Sequence, residues 1–106
     1  MADTLKRLAG PTALGTSAAT VYTVPAATTA TVRDVLVCNE TGSAATLTIS
    51  IGTDGAGKRI CKDLSIPANT TWQLACGTVL AAAEVLQAYS GTASALTLTV
   101  SGVETT

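Results

Sequence analysis

Histidine and phenylalanine are absent from the 106 residues, and tryptophan occurs once. Without histidine a serine nucleophile lacks its usual base, and no Gly-x-Ser-x-Gly elbow is present. The cysteines Cys38, Cys61 and Cys76 are odd in number, widely spaced and without a Cys-x-x-Cys, so they form neither a disulfide framework nor a zinc site. Cys38 and Cys76 fall on inward phases of their segments. Cys61 lies opposite in phase to Ile60 and is the thiol open to pairing with another strand or chain.

Charge is scarce too, at 12% of residues, with six basic against seven acidic side chains. Nucleic-acid binding needs a basic surface, and the one basic cluster, Lys58-Arg59-x-x-Lys62, is followed at once by Asp63. Asp34, Asp54, Asp63 and Glu84 stand isolated, as solubilising charges do, without the paired spacing of glycosidase carboxylates. The loop Gly52–Gly57 lacks the alternating acids of a calcium loop and the Gly-Lys-Ser/Thr of a phosphate loop. The inventory therefore predicts no catalytic residue, no metal, no cofactor and no nucleic-acid partner. No run of ~18 apolar residues is present, so no membrane-spanning helix is expected. Lys6 and Arg7 precede Gly10-Pro11 and a polar segment rather than the apolar stretch of a signal peptide, which predicts a chain made and used without general secretion.

What the chain does have is threonine, alanine and β-branched residues, a composition suited to pleated, half-buried surfaces. The core must come from Val, Leu and Ile, with Trp72 as its largest piece. From residue 20 the dominant period is two. Strands are expected at Thr20–Val24, Thr31–Cys38, Thr46–Ile51, Lys58–Ile66, Thr71–Cys76, Val85–Ser90 and Leu96–Val103, with turn residues between them. Pro25 and Pro67 each end one strand ahead of the next. In the second strand Val32, Leu36 and Cys38 share a face with Asp34, and the charge in that phase points to a bulge or rim. In the fourth, Ile60, Leu64 and Ile66 are in phase with Lys62 intruding, as in a guarded edge strand. Val79–Glu84 is the one helix-like run, too short to stand alone. Seven strands at this spacing predict an antiparallel β-sandwich, either immunoglobulin-like or a small jelly roll.

Three stretches recur. VPAATTATV (24–32) is echoed by IPANTTWQL (66–74), DVLV (34–37) by EVLQ (84–87), and TGSAATLTIS (41–50) by TASALTLTVS (92–101), at offsets of 42, 50 and 51 residues. They read either as coincidence among Thr/Ala-rich strands or as two related halves facing one another. Residues 1–19 read as a frayed end or as an arm that places Leu5, Leu8 and Leu14 in grooves of a neighbouring subunit. The division expected is an arm (1–19) followed by a sandwich (20–106).

LAGPTALGTSAATVYTVPA, the strand ending in Cys-Asn-x-Thr-Gly-Ser, IPANTTWQL and the closing LTVSGVE together resemble small β-sandwich accessory proteins of tailed-bacteriophage virions. The resemblance covers Leu8 to Glu104 and rests on residues that make folds, Pro25, Asn39, Gly42, Pro67 and Asn69. It implies a non-enzymatic virion protein, assembled in the host cytoplasm, that decorates a capsid or builds neck and tail parts as a trimer or other symmetric oligomer. Its partners would be copies of itself and the major capsid, neck or tail proteins. A carbohydrate- or receptor-binding role on a tail or fibre is the alternative, with Tyr22, Trp72 and Tyr89 as the available aromatics.

Overall fold

The structure, a computed structural model, describes residues 3–106, apart from the side chain of Cys76. Eight strands make it up: β1 (Asp3–Ala13), β2 (Ala19–Thr23), β3 (Thr29–Asn39), β4 (Ala45–Ile51), β5 (Arg59–Ile66), β6 (Thr71–Leu80), β7 (Val85–Ser90) and β8 (Leu96–Thr105). They form two four-stranded antiparallel sheets. Sheet A runs β1-β8-β3-β6 and sheet B runs β2-β7-β4-β5. The pairs 1·8, 2·7, 3·6 and 4·5 are those of a long hairpin rolled up on itself. Of the two expected sandwiches, this is the jelly roll.

The eighth strand comes from the segment expected to be an arm. Asp3–Ala13 pairs with β8 from Asp3↔Thr105 to Ala13↔Thr97. A roll needs a partner for its last strand, and the N-terminal segment supplies it. Gly10, with φ +85°, lies so close to β8 that a Cβ there would sit 2.1 Å from the Leu98 carbonyl oxygen. Side-chain bulk is excluded at that point, and Gly10-Pro11 ends no strand.

The core is aliphatic, as the scarcity of aromatics requires. Leu47, Ile49, Ile66, Leu80, Leu86, Leu96, Leu98, Val35, Val37 and Val100 are buried between the sheets. Trp72 and Leu74 pack on the core from its margin and are only partly buried.

Two bulges reset the expected phases. In β3 the register against β8 steps between Val32 and Asp34. Ala30 and Val32 face inward before the step and Val35, Val37 and Asn39 after it, leaving Leu36 and Cys38 on the outside. The bulge was legible from Asp34, but its consequence for Leu36 and Cys38 is the reverse of the uninterrupted alternation. In β5 the register steps between Leu47↔Leu64 and Ile49↔Cys61, at Asp63, whose φ is +48°. Cys61 and Leu64 therefore pack on the core and Ile60 turns out. Lys62 then lies on the exposed side of what is an edge strand of sheet B. The helix-like run is also resolved otherwise: Val79 and Leu80 end β6, and a turn follows in which the Ala81 N–H donates to Glu84 Oε1 at 2.6 Å.

The sequence echoes have separate structural meanings. Pro25–Thr28 and Pro67–Thr70 make the same turn. Ala27 and Asn69 have positive φ (56° and 54°), and Thr28 and Thr70 hydroxyls donate to the carbonyls of Ala26 and Ala68. The other two echoes relate β3 to β7 and β4 to β8. A shift of four strands maps sheet A's order onto sheet B's, so these echoes fall on topologically equivalent strands.

Candidate functional site

Among the described residues no ligand-sized pocket opens, and no group of three or more metal-ligating side chains forms. The polar side chains gather instead at three places, each tied off internally. No buried side-chain nitrogen or oxygen among the described residues lacks a hydrogen-bond partner.

The first is Asn39, fully buried at the end of β3. Its amide nitrogen donates to the carbonyls of Ser43 (2.9 Å), Ile66 (3.0 Å) and Pro67 (3.2 Å). Its Oδ1 accepts from the backbone N–H and the hydroxyl of Thr41. One side chain thus ties the β3–β4 turn to the end of β5, joining sheet A to sheet B. Asparagine is suited to the place because it both donates and accepts.

The second lies at one end of the roll. Tyr22 Oη donates to Glu104 Oε2, and Lys6 Nζ meets Glu104 Oε1 at 3.3 Å. Burial, together with the adjacent carboxylate, drives the Tyr22 phenol well above its ordinary range. The Tyr22 hydrogen bond, assisted by Lys6, holds Glu104 below the usual carboxylate range.

The third covers the outer face of sheet B. Register places Thr20, Gln87, Ser50 and Arg59 in one row across all four strands. The loop from Gly52 to Lys58 folds over that row. Asp54 accepts from Arg59 Nε (3.0 Å) and Nη2 (3.1 Å) and from the Ser50 hydroxyl. Its N–H donates to Gln87 Oε1 (3.0 Å), and Gln87 Nε2 donates to Thr20 Oγ1 (3.1 Å). The Arg59 fork, then Ser50, lowers the Asp54 pKa. Ser50 and Thr48, on the outward phase, are buried as a result, with Thr48 Oγ1 accepting from the Asp63 N–H. The Gly52–Lys58 loop is thus a fastening.

The outer face of sheet A is the opposite case. Leu5, Val103, Thr31 and Val79 form a row across its four strands. Leu5 is 76% exposed and Val79 60%. Beside them lie the row Arg7, Ser101, Asp34, Ala75 and the exposed Leu36. Among the described residues no loop crosses this face; its side-chain hydrogen bonds, Gln73 Nε2 to Asp34 Oδ1 at 3.2 Å and Thr105 Oγ1 to Asp3 Oδ1 at 2.8 Å, lie within the sheet.

Of the three leucines expected to reach a neighbour, Leu8 and Leu14 are buried in this chain's own core, and Leu5 alone is exposed. The reason is β1's own pairing with β8, which turns Leu8 inward at the step between Arg7 and Ala9. Cys38 and Cys61 are free thiols, and Cys61 is partly buried, which raises its pKa above the ordinary thiol. The expected inward placement of Cys76 lies outside the described residues. The Thr20–Gln87–Ser50–Arg59 row was missed because Arg59 and Asp54 look like isolated surface charges until the strands are paired.

A jelly-roll sandwich, closed by its own loop on one outer face and, among the described residues, open on the other, is the class that the geometry defines. The fold is similar to that of a chain in the structure of infectious bursal disease virus, Gx strain. The two align with a TM-score of 0.55 at 13% identity, over 97% of this chain and 30% of that one. At that identity the likeness is one of fold, and this chain spans less than a third of its neighbour's length. No family model matches the sequence. No curated protein matches it either.

Proposed function

We propose that this protein is a non-enzymatic structural component of a virion, a capsid decoration or stabilising protein that binds the particle lattice as a symmetric oligomer. The observation that carries this is the complete jelly roll, matched over almost the whole chain to part of a chain from a virus structure. The bare outer face of sheet A supports it. A chain with 12% charged residues that leaves Leu5, Leu36 and Val79 exposed on one sheet presents a neutral surface suited to being covered. Leu5, on the edge strand β1, is the N-terminal residue placed to meet a neighbour. Repeated around a shell, interfaces of ~800 Å² per partner would brace subunit boundaries without chemistry.

The tail or fibre reading with a glycan or receptor ligand finds less support, because Tyr22 is buried and Trp72 and Tyr89 are half-buried. None offers an open aromatic platform. Quantitative mass spectrometry of gradient-purified particles from the source that encodes the chain tests the assignment. A copy number commensurate with the shell lattice is expected. A single ring's worth would move the protein to the neck or tail, and absence from particles would overturn the virion role.

A further inference from the structure

A two-sheet roll has four edge strands, here β1 and β6 in sheet A and β2 and β5 in sheet B. An edge strand offers unpaired N–H and C=O groups to any passing strand, and folded proteins blunt such edges with charge, proline, bulges or brevity. Three of the four are blunted. β1 carries Lys6, Arg7 and Pro11, with register steps at Arg7/Ala9 and Ala9/Thr12. β2 is five residues long and steps between Thr20 and Tyr22. β5 carries Arg59, Lys62 and Asp63 and steps twice.

β6 shares only the register step, with one extra residue between Thr78 and Ala75 against β3. Its ten residues, TWQLACGTVL, contain neither a charge nor a proline. Thr71, Gln73, Ala75, Gly77 and Val79 are all exposed, while Trp72, Leu74, Thr78 and Leu80 turn toward the protein, so the described side chains keep a period of two. At ~3.3 Å per residue the strand offers roughly 30 Å of edge.

We propose that β6 pairs antiparallel with β6 of a second copy of this chain across a two-fold axis, joining two A sheets into one eight-stranded sheet. Length sets the uncharged β2 aside, and charge decides among the longer edges. A two-fold through β5 or β1 would bring Lys62 or Lys6 and Arg7 toward their own copies, whereas β6 meets itself without like charges. Closure decides for a second copy over an unlike strand. An isologous contact satisfies both open edges at once and stops there, while head-to-tail pairing would leave one edge free to propagate. The pairing also extends the exposed row that ends at Val79 across the axis. This inference stands apart from the particle assignment, since the contact forms in the purified protein.

Sedimentation velocity of the purified full chain over a hundredfold concentration range tests it. A reversible monomer–dimer equilibrium is expected. Gly77→Lys should weaken it at least tenfold, because the position has open space for a side chain and a charge there faces its own copy. Thr12→Lys, on the β1 edge, should leave it unchanged. Amide hydrogen exchange of the wild type, dilute and concentrated, provides the second readout independent of any variant's folding. Protection on concentrating should rise in Thr71–Leu80 and not in β1, β2 or β5. A wild type that stays monomeric throughout, a folded Gly77→Lys that dimerises like the wild type, or protection gained at another edge would each overturn the proposal. Dimerisation through β6 with the protein absent from particles would leave this inference standing and remove only the virion role.

Discussion

The two sheets share one core and treat their outer faces in opposite ways. Across sheet B the central row is Thr20, Gln87, Ser50 and Arg59, fastened under the Gly52–Lys58 loop by Asp54. Across sheet A the corresponding kind of row is Leu5, Val103, Thr31 and Val79, with no loop of the described residues laid over it. Sheet B's strands are five to eight residues long and sheet A's ten or eleven, so sheet A also offers the larger plane. One face is finished by the chain itself. The other leaves Leu5 and Val79 exposed.

The strongest way to break the comparison is to cut the joint between the sheets. Asn39→Ala removes a fully buried side chain that makes three donor contacts and accepts from Thr41, leaving buried carbonyls without donors. A loss of about 3 kcal/mol is expected, lowering the melting temperature by roughly 15 °C. A drop of only a degree or two in calorimetry would show that the turns hold without it.

Next comes the contrast within β1. Leu8→Ala should cost about 2 kcal/mol in denaturant titrations, as a buried leucine does. Leu5→Ala should stay within about 0.5 kcal/mol, as exposed positions do, and act instead on association with the particle. Equal effects would mean that β1 is not seated on β8 in solution.

A smaller global effect is expected from Asp54→Asn, which slackens the sheet B fastening. Its signature is faster hydrogen exchange in the Gly52–Gly57 amides, with sheet A unchanged. The acid limb gives a second signature. Asp54 and Glu104 have folded pKa values below their unfolded ones. Their contribution is therefore present above the ordinary carboxylate range and is lost as pH falls below about 4 and through the folded values. Asp54→Asn should flatten that fall, and an unchanged pH profile would exclude the carboxylate from stabilising the loop. Tyr22 has the opposite sign. Its raised pKa means stability held below about pH 10 and lost as pH climbs beyond.

The smallest effect is a gain. Ala27 and Asn69 occupy the same left-handed position in twin turns, and asparagine tolerates it better than alanine. Ala27→Asn should stabilise by about 0.5 kcal/mol, and a loss would show that the two turns are not equivalent.

The period of two in Thr46–Ile51 and Leu96–Val103 made the sandwich legible, because apolar and polar residues alternate in both without interruption. Asp34 made one bulge legible for the same reason, as a charge in an apolar phase. What local pattern did not carry was pairing at a distance. β1 looked like an arm because Lys6, Arg7, Gly10 and Pro11 are poor strand residues, and only its place beside β8 makes a strand of it. The phase of Cys38 depended on one extra residue at Arg33, and the role of Asp54 on a strand thirty-three residues away, at Gln87.

Trp72, the single tryptophan, sits half-buried on β6, the long edge strand without charge or proline. The emission of the unmodified chain is therefore a built-in optical gauge of that edge: a shift to shorter wavelength on concentrating, or on adding particles, would signal water leaving β6, with no label attached.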